Sequence, residues 1–352
     1  MSERRVPVAV LTSLVLLVSG CTSGADADPK SAAAAAAEQA QLSAQAFLDR
    51  YVDADGRVVR RDQGGDTVSE GVSYALLLAQ VAGDETVERR VWQWAKVNLR
   101  RDDGLLSFLT DAAGDVIDEQ AATDADLVIA WALGRSRQPE LRADAAGVLA
   151  AVEQHTVVSR APGPLLTAGP WATGEPATLN PSYWVLPALR ATAREELAAR
   201  IGPALDALGS GLPPDWARLD GGRLTASPDP GGRFPEVRYG LDAMRTTVWL
   251  ATDCDADNRA RAAASRDALA DRPEASAREL DGTVLDSTPH PLGLVAAAAA
   301  ADAAADDAAS DGLLDRAAAQ DAQSPTYYGA AWVALGRALL QTDELDACGS
   351  DT

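Results

Sequence analysis

The chain has 352 residues, of which 47% are hydrophobic, and can therefore bury one large core or two small ones. This composition excludes collagen-like, coiled-coil and fully disordered chains. The formal net charge of −21 repels nucleic acid and anionic lipid headgroups, so we expect neither as a partner. An acidic surface also keeps exported proteins soluble, and the charge alone therefore identifies no ligand.

The chain begins with the features of an export signal. A positively charged start is followed by an apolar run, residues 6–18, that is too short to cross a membrane as a stable helix. The sequence LVSGC, which ends at Cys21, resembles a bacterial lipobox and implies cleavage before that cysteine and a lipid on its sulfur. We expect a signal peptide over 1–20, a tether over 21–40 and a lipid-anchored, extracytoplasmic protein. An ordinary signal peptide or an uncleaved signal anchor is the alternative.

Helical patterns dominate the rest of the chain. Apolar residues recur at spacings near 3.6 in segments rich in Ala, Leu and Arg, and loops rich in Gly and Pro separate these segments. Residues 72–81 and 127–134 are apolar nearly all round, so we expect other helices to enclose them. The sequence therefore predicts one all-α domain over residues 41–345, with an inner ring of helices wrapped by an outer ring.

Carboxylates stand at the start of three predicted helices. Glu70 begins the first enclosed helix, Asp124 and Asp126 begin the second, and Asp242 begins a third. If the inner helices start at one end of the ring, these groups converge there. On periodicity alone, the favoured interpretation is helix capping, because an acidic residue in a first turn gains about 0.3–1 kcal/mol from the helix dipole.

Five segments of the chain occur in a specific order: TVSEGVSY, AATDADLVIAWAL, TLNPSYWVLPAL, PPDW and RYGLDAMRTTVWL. Together they resemble the bacterial cellulases and related enzymes of glycoside hydrolase family 8, over residues 45–340. The Ala-Thr-Asp-Ala-Asp block that starts at residue 122 is the most specific of them. The resemblance implies an (α/α)6 barrel that hydrolyses β-1,4-linked polysaccharides with inversion at the anomeric carbon.

Carried over residue by residue, the resemblance implies three catalytic carboxylates. Glu70 matches the general acid, Asp242 matches the general base of the cellulase-like members, and Asp124 matches a substrate-binding residue near the scissile bond. Inverting hydrolysis uses an acid and a base about 6.5–9.5 Å apart, one to protonate the leaving oxygen and one to activate a water on the opposite face of the sugar. Arg245, three residues after Asp242, is placed to pair with that carboxylate.

Further residues are predicted to contact the sugar. The chain has 8 Trp but only 3 Phe, and flat Trp faces suit the C–H faces of pyranose rings. The candidates come from the segments that match the family near its cleft. They are Tyr183, Trp184, Trp216, Tyr239, Arg245 and Asp126. The alternative for Tyr239 is a tyrosine of the barrel rim with no catalytic part.

Three positions depart from the commonest form of the family. Val72 replaces a Gln, Phe108 replaces a sugar-stacking Trp, and Gln120 replaces an Asn. These changes remove polar and stacking contacts, whereas Glu70 and Asp242 are kept. We therefore expect an altered substrate preference or weak activity, and the β-1,4 class is a firmer prediction than cellulose itself.

Other chemistries have little support in the sequence. His155 and His290 are the only histidines, and neither lies near a Ser or Cys motif of a hydrolase triad. Two lone cysteines, Cys254 and Cys348, lack the spacing of a zinc site but could form a disulfide in an oxidising compartment. Residues 253–258 lack the glycine and the distal glutamate of a calcium loop. We expect no metal and no cofactor.

The sequence therefore predicts an inverting, endo-acting hydrolase of β-1,4-linked polysaccharide, with a cellulose-like β-1,4-glucan as the first choice of substrate. We expect a monomer. One alternative is a chitosanase or xylanase of the same family, because an acidic surface attracts a polycation such as chitosan. Another is a catalytically weak, polysaccharide-binding lipoprotein. A structural lipoprotein without a ligand would leave the co-occurrence of the three carboxylates unexplained.

Overall fold

The computed structural model describes residues 29–349, which are mostly helical. The helices are α1 (Pro29–Tyr51), α2 (Ser69–Ala82), α3 (Glu85–Asn98), α4 (Thr123–Arg135), α5 (Pro139–Thr156), α6 (Leu186–Ala191), α7 (Glu195–Leu208), α8 (Leu241–Ala251), α9 (Ala256–Ala264), α10 (Arg266–Ala270), α11 (Pro291–Ala303), α12 (Asp307–Gln323) and α13 (Tyr327–Leu340). Two 3₁₀ turns, Pro170–Ala172 and Pro181–Tyr183, lie between α5 and α6.

Within these residues, the helices form two concentric rings. The inner ring consists of α2, α4, α6, α8, α11 and α13; each contacts the next, and α13 contacts α2, so the ring closes. The outer helices α1, α3, α5, α7, α9 and α12 each pack against an inner neighbour. This arrangement is the (α/α)6 barrel that the sequence predicts.

The difference in sequence between inner and outer helices explains the two rings. In α2 and α4 nearly every side chain is buried, because beyond the first turn these helices carry almost no charge. By contrast, α3 buries a stripe that includes Val87, Val91 and Ala95 and exposes its charged face. Residues 72–81 and 127–134 are therefore enclosed as predicted.

Short antiparallel strands occupy the loops that precede the inner helices. The strands of the described chain are β1 (Thr67–Val68), β2 (Leu109–Thr110), β3 (Val116–Asp118), β4 (Val157–Arg160), β5 (Gly163–Leu166), β6 (Ala177–Leu179), β7 (Trp216–Asp220), β8 (Arg223–Ser227), β9 (Ala275–Arg278) and β10 (Val284–Pro289). They pair as β1-β2-β3, β4-β5, β6-β7-β8 and β9-β10. Because β1 runs directly into α2 and β10 leads into α11, these sheets form the rim at the end where inner helices begin.

The two ends of the chain differ in how far the structure describes them. The predicted signal peptide and Cys21 lie outside the described residues. Helix α1 begins at Pro29 and buries Ala40, so helical structure starts within the segment predicted as a tether. Between residues 29 and 349 no helix is both long enough and apolar enough to span a membrane. A disulfide joins Cys254, just before α9, to Cys348, beyond the end of α13.

Candidate active site

One buried arginine joins the carboxylates at the starts of three inner helices. Arg245, on α8, is 2% exposed. Its Nη1 donates to Oε1 of Glu70 at 2.5 Å and to Oδ2 of Asp124 at 2.6 Å, and its Nη2 donates to Oδ1 of Asp242 at 3.0 Å. Because a single planar guanidinium spans these contacts, the bonded oxygens of Glu70 and Asp242 lie at most about 8 Å apart. The structure thus brings together the three carboxylates predicted from the sequence.

Glu70, Asp124 and Asp242 lie in the first turns of α2, α4 and α8, where the helix dipole favours them, but the cap residues of these helices supply no side-chain bond. The cap residues of α2, α4 and α8 are Val68, Ala122 and Gly240, none of which makes a side-chain cap. Ser69 and Thr123 lie inside their helices, and their buried hydroxyl oxygens have no hydrogen-bond partner. Glu70 and Asp124 instead reach across the ring to Arg245.

Glu70 has one oxygen engaged and one available. The hydroxyl of Tyr74 donates to Oε1 of Glu70 at 2.7 Å, the same oxygen that accepts from Arg245. The Glu70 side chain is 20% exposed and lines a cleft of about 540 Å³ that also contains Asp242. These contacts leave Oε2 of Glu70 for a ligand in the cleft.

Asp242 is held by residues of the NPSYW segment that sequence reasoning did not single out. The side-chain amide of Asn180 donates to Oδ2 of Asp242 at 3.1 Å. The hydroxyl of Ser182 donates to Oδ1 of Asn180 at 2.7 Å and accepts from Nη2 of Arg245 at 2.8 Å. The position of these polar residues within a segment that matches the family was the available signal. Asp242 remains partly exposed, with 33% of its side chain accessible.

Asp124 and Asp126 are both buried but have different partners. Burial raises the pKa of Asp124 to about 7, an effect opposed by Arg245 and reinforced by Glu70, so this carboxyl titrates near neutral pH. Asp126 is fully buried, and its Oδ1 accepts the backbone N–H of Leu106 at 3.0 Å. Burial raises the pKa of Asp126 well above its usual range. The expectation that Asp126 contacts substrate is therefore corrected, because it braces the loop before β2.

The predicted sugar-binding aromatic residues divide into two groups. Tyr183 lies 5.4 Å from the Arg245 guanidinium and packs edge-on against Trp216, which lines the cleft. Trp184 is 2% exposed, and its Nε1 donates to the carbonyl of Leu166 at 2.9 Å. Trp184 therefore belongs to the core, which corrects its assignment to the cleft.

Tyr239 also requires a correction. It is fully buried, and its hydroxyl lies 3.0 Å from that of Thr247 on α8. It offers no surface to a sugar or to a water in the cleft. Val72 is likewise fully buried, so its difference from the family acts through packing around α2.

An exposed tryptophan beside α4 was not anticipated. Trp171 lies in the first 3₁₀ turn and, at 43% exposure, is the most exposed tryptophan of the described residues. Its Nε1 donates to the carbonyl of Ala121 at 3.2 Å, which places the ring next to the start of α4. Its position in a Gly-Pro-Trp loop, outside any helical pattern, was the sequence signal.

Comparison with known proteins decides the family. The model of the family described as glycosyl hydrolases family 8 matches residues 27–341. The chain belongs to this family. The family resemblance read from the five segments is therefore confirmed, and so is its fold. The protein is a glycoside hydrolase.

Individual relatives agree with the family 8 assignment. A probable endoglucanase of Novacetimonas hansenii is 33% identical over 250 residues, which cover 65% of this chain and 70% of that protein. An endoglucanase of Cellulomonas uda is 30% identical over 232 residues, covering 60% and 63% of the two chains. The endo-β-1,4-glucanase structure from Acetobacter xylinum matches with a TM-score of 0.73 at 25% identity, over 85% of this chain and 97% of the other.

A more distant solved structure shows the same barrel. The β-1,3-1,4-glucanase of Paenibacillus sp. X4 gives a TM-score of 0.75 over 90% of this chain and 93% of that one. At 17% identity, this similarity concerns the fold alone.

Proposed function

We propose that this family 8 protein is an inverting endo-β-1,4-glucanase, with Glu70 as general acid and Asp242 as general base. The observation that carries the proposal is the pair of partly exposed carboxylates in one cleft, bridged by Arg245. The limit of about 8 Å on the distance between their arginine-bonded oxygens admits both the roughly 6.5–9.5 Å of inverting and the roughly 5–5.5 Å of retaining enzymes, so inversion is proposed from the family match. The names of the relatives, endoglucanase and endo-β-1,4-glucanase, support the choice of substrate.

The contacts in the cleft support a distinct catalytic role for each residue. The free Oε2 of Glu70 donates a proton to the leaving glycosidic oxygen, while Asp242 takes a proton from the water that attacks the opposite face of the sugar. Arg245 holds the side chains of Glu70 and Asp242 in place through its two terminal nitrogens. Trp216, which lines the cleft and packs edge-on against Tyr183, provides an aromatic wall suited to a pyranose ring.

Export as a lipoprotein is part of the proposal. The lipobox-like LVSGC sequence supports a diacylglycerol on Cys21, which would hold the enzyme outside the cytoplasmic membrane, where it could trim a glucan during export. Mass spectrometry of the expressed protein tests this directly. We expect a lipid-modified Cys21 at the N-terminus of the mature protein. The Cys21→Ser variant cannot carry this lipid and should be absent from the membrane fraction.

Release of reducing ends tests the catalytic proposal. The substrates are carboxymethylcellulose, mixed-linkage glucan, xylan and chitosan. Glu70→Gln and Asp242→Asn should each lower release from β-1,4-glucan by roughly 10²–10⁴-fold, the usual contribution of general acid–base catalysis. Glu85→Gln is the matched control, because Glu85 is an exposed acidic residue in the first turn of α3. It should leave the rate unchanged.

The outcomes separate the alternatives. If the enzyme cleaves xylan or chitosan faster than glucan, that polymer becomes the proposed substrate. If the protein binds a polymer without cleaving it, and Glu70→Gln does not change the binding, a binding lipoprotein is favoured. The anomeric form of the first product, followed by NMR, tests the stereochemistry. An inverting enzyme releases the α-anomer from a β-linked glucan, and an initial β-anomer would refute this mechanism.

A further inference from the structure

A second buried carboxylate lies beside the proposed base. Asp215 stands just before β7, is 5% exposed and lines the same cleft as Glu70 and Asp242. Burial and the nearby charge of Asp242 raise the pKa of Asp215 to about 6, against the opposing effect of backbone N–H groups and of Arg238. The charges of Asp215 and Asp242 therefore influence each other.

The hydrogen bonds of Asp215 fix the first turn of α8. Its Oδ1 accepts the backbone N–H of Gly240 at 2.8 Å and that of Ala243 at 2.9 Å, which lie on either side of Asp242 in the chain. The first N–H groups of a helix have no partner inside the helix. Because the cap residue of α8 supplies no side-chain bond, Asp215 caps this helix from a distant part of the sequence.

Asp215 also ties this turn to the loop before α8. Its Oδ2 accepts from Nε of Arg238 at 3.1 Å, and its backbone N–H donates to the carbonyl of Arg238 at 2.8 Å. The next residue, Trp216, belongs to the aromatic wall of the cleft. The start of β7 therefore connects the sugar-facing wall to the helix that carries Asp242.

Gly240 shows how closely these groups approach. A Cβ at this position would lie 2.4 Å from Oδ2 of Asp215 and 2.9 Å from Nε of Arg238. The backbone φ of Gly240 is −114°, which other residues adopt freely. Packing of the Asp215–Arg238 pair against the backbone, and not an unusual backbone conformation, explains why glycine is needed here.

We propose that Asp215 is the positioning residue of the catalytic base: it holds the first turn of α8 so that Asp242 faces the cleft, and its negative charge favours proton transfer to Asp242. This inference rests on the proposed function. The influence of two neighbouring carboxylates is mutual, so removing the charge of Asp215 makes proton transfer to Asp242 less favourable.

The test compares the kcat, KM and pH–rate profile of Asp215→Asn with those of the wild type. The amide oxygen of Asn can still accept both backbone N–H groups, whereas the charge is lost. We expect kcat to fall roughly 10- to 100-fold above pH 7 with KM within about threefold, and the fall in kcat that accompanies protonation of Asp215 near pH 6 in the wild type to be missing from the variant. Asp206→Asn is the control, because Asp206 is exposed and pairs with Arg261 on outer helices; it should behave as wild type.

Each other result overturns a stated part of the reasoning. Unchanged kcat at every pH in Asp215→Asn would refute the effect of the Asp215 charge, and wild-type kcat in Gly240→Ala would refute the positioning role. A loss as complete as that of Asp242→Asn would assign proton transfer to Asp215 itself. If Asp215→Asn does not fold, Gly240→Ala, which displaces Asp215 and keeps every charge, should still lower kcat, and wild-type kcat would refute the inference. A wild-type protein inactive on every polymer would refute the proposed function and this inference with it.

Discussion

Replacement of His290 by Asn tests how burial of one side chain in the cleft controls stability. His290 precedes α11, and its Nδ1 accepts the backbone N–H of Leu292 at 3.1 Å, so the proton of the neutral ring is assigned to Nε2. The ring packs 5.8 Å from that of Tyr328. Burial lowers the pKa of His290 from 6.5 to about 4, because desolvation disfavours the charged imidazolium.

The sign and size of the effect follow from proton linkage. The unfolded chain protonates His290 as the pH falls through about 6.5, but the folded protein does so only near pH 4. The unfolded state therefore binds more protons in this window, and the free energy of unfolding falls as the pH falls. By pH 4 this single residue has removed about 3 kcal/mol of stability relative to pH 7.5.

Urea unfolding of the wild type and of His290→Asn between pH 7.5 and 4 measures this loss. Asn caps helices well through its side-chain oxygen, so the variant can keep the bond to Leu292 while it loses the titrating group. All other titrating groups are shared, and the difference between the two proteins isolates His290. The wild type should lose about 3 kcal/mol relative to the variant on going to pH 4. A difference that stays constant with pH would refute the reasoning.

Three further predictions concern other buried contacts. Arg245→Met should cost about 3–5 kcal/mol in urea unfolding at pH 8, because it leaves Asp124 buried without its partner, and less at pH 6, where Asp124 is protonated. Cys254→Ser should cost about 2–4 kcal/mol, and reductant should lower the wild-type Tm but not that of the variant. Trp184→Ala should cost about 3–5 kcal/mol by opening the core, whereas Trp216→Ala should mainly raise KM.

The sequence predicts the barrel well because the amino-acid composition of a helix reflects how much of its surface is buried. An inner helix has no solvent-facing side, so α2 and α4 need apolar or small residues all round. An outer helix such as α3 needs charged residues on one side. The starts of α2 and α8 are the exception, since they line the cleft, and there the carboxylates Glu70 and Asp242 interrupt the apolar pattern.

In the irregular segments, by contrast, the sequence does not predict which way each side chain points. Tyr183 and Trp184 are neighbours at the end of a 3₁₀ turn, yet the first lies against Arg245 and the second bonds a core carbonyl. A 3₁₀ turn this short has no repeating pattern of buried and exposed positions, so the sequence could not show which of the two aromatic side chains faces the site and which is buried in the core. The same holds for Asp215, which acts on α8 through backbone N–H groups that carry no sequence signature.

The cluster around Arg245 shows why spacing predicts only part of a site. The pair with Asp242 is an i,i+3 contact on one helix, and sequence could anticipate it. The contacts with Glu70 and Asp124 join residues 175 and 121 positions apart, which only ring closure brings together. One guanidinium cannot neutralise three carboxylates, and burial resolves the imbalance at Asp124, whose pKa of about 7 lets it take up a proton. As the pH falls through about 7, Asp124 therefore becomes neutral, and its hydrogen bond to Arg245 no longer joins two charges.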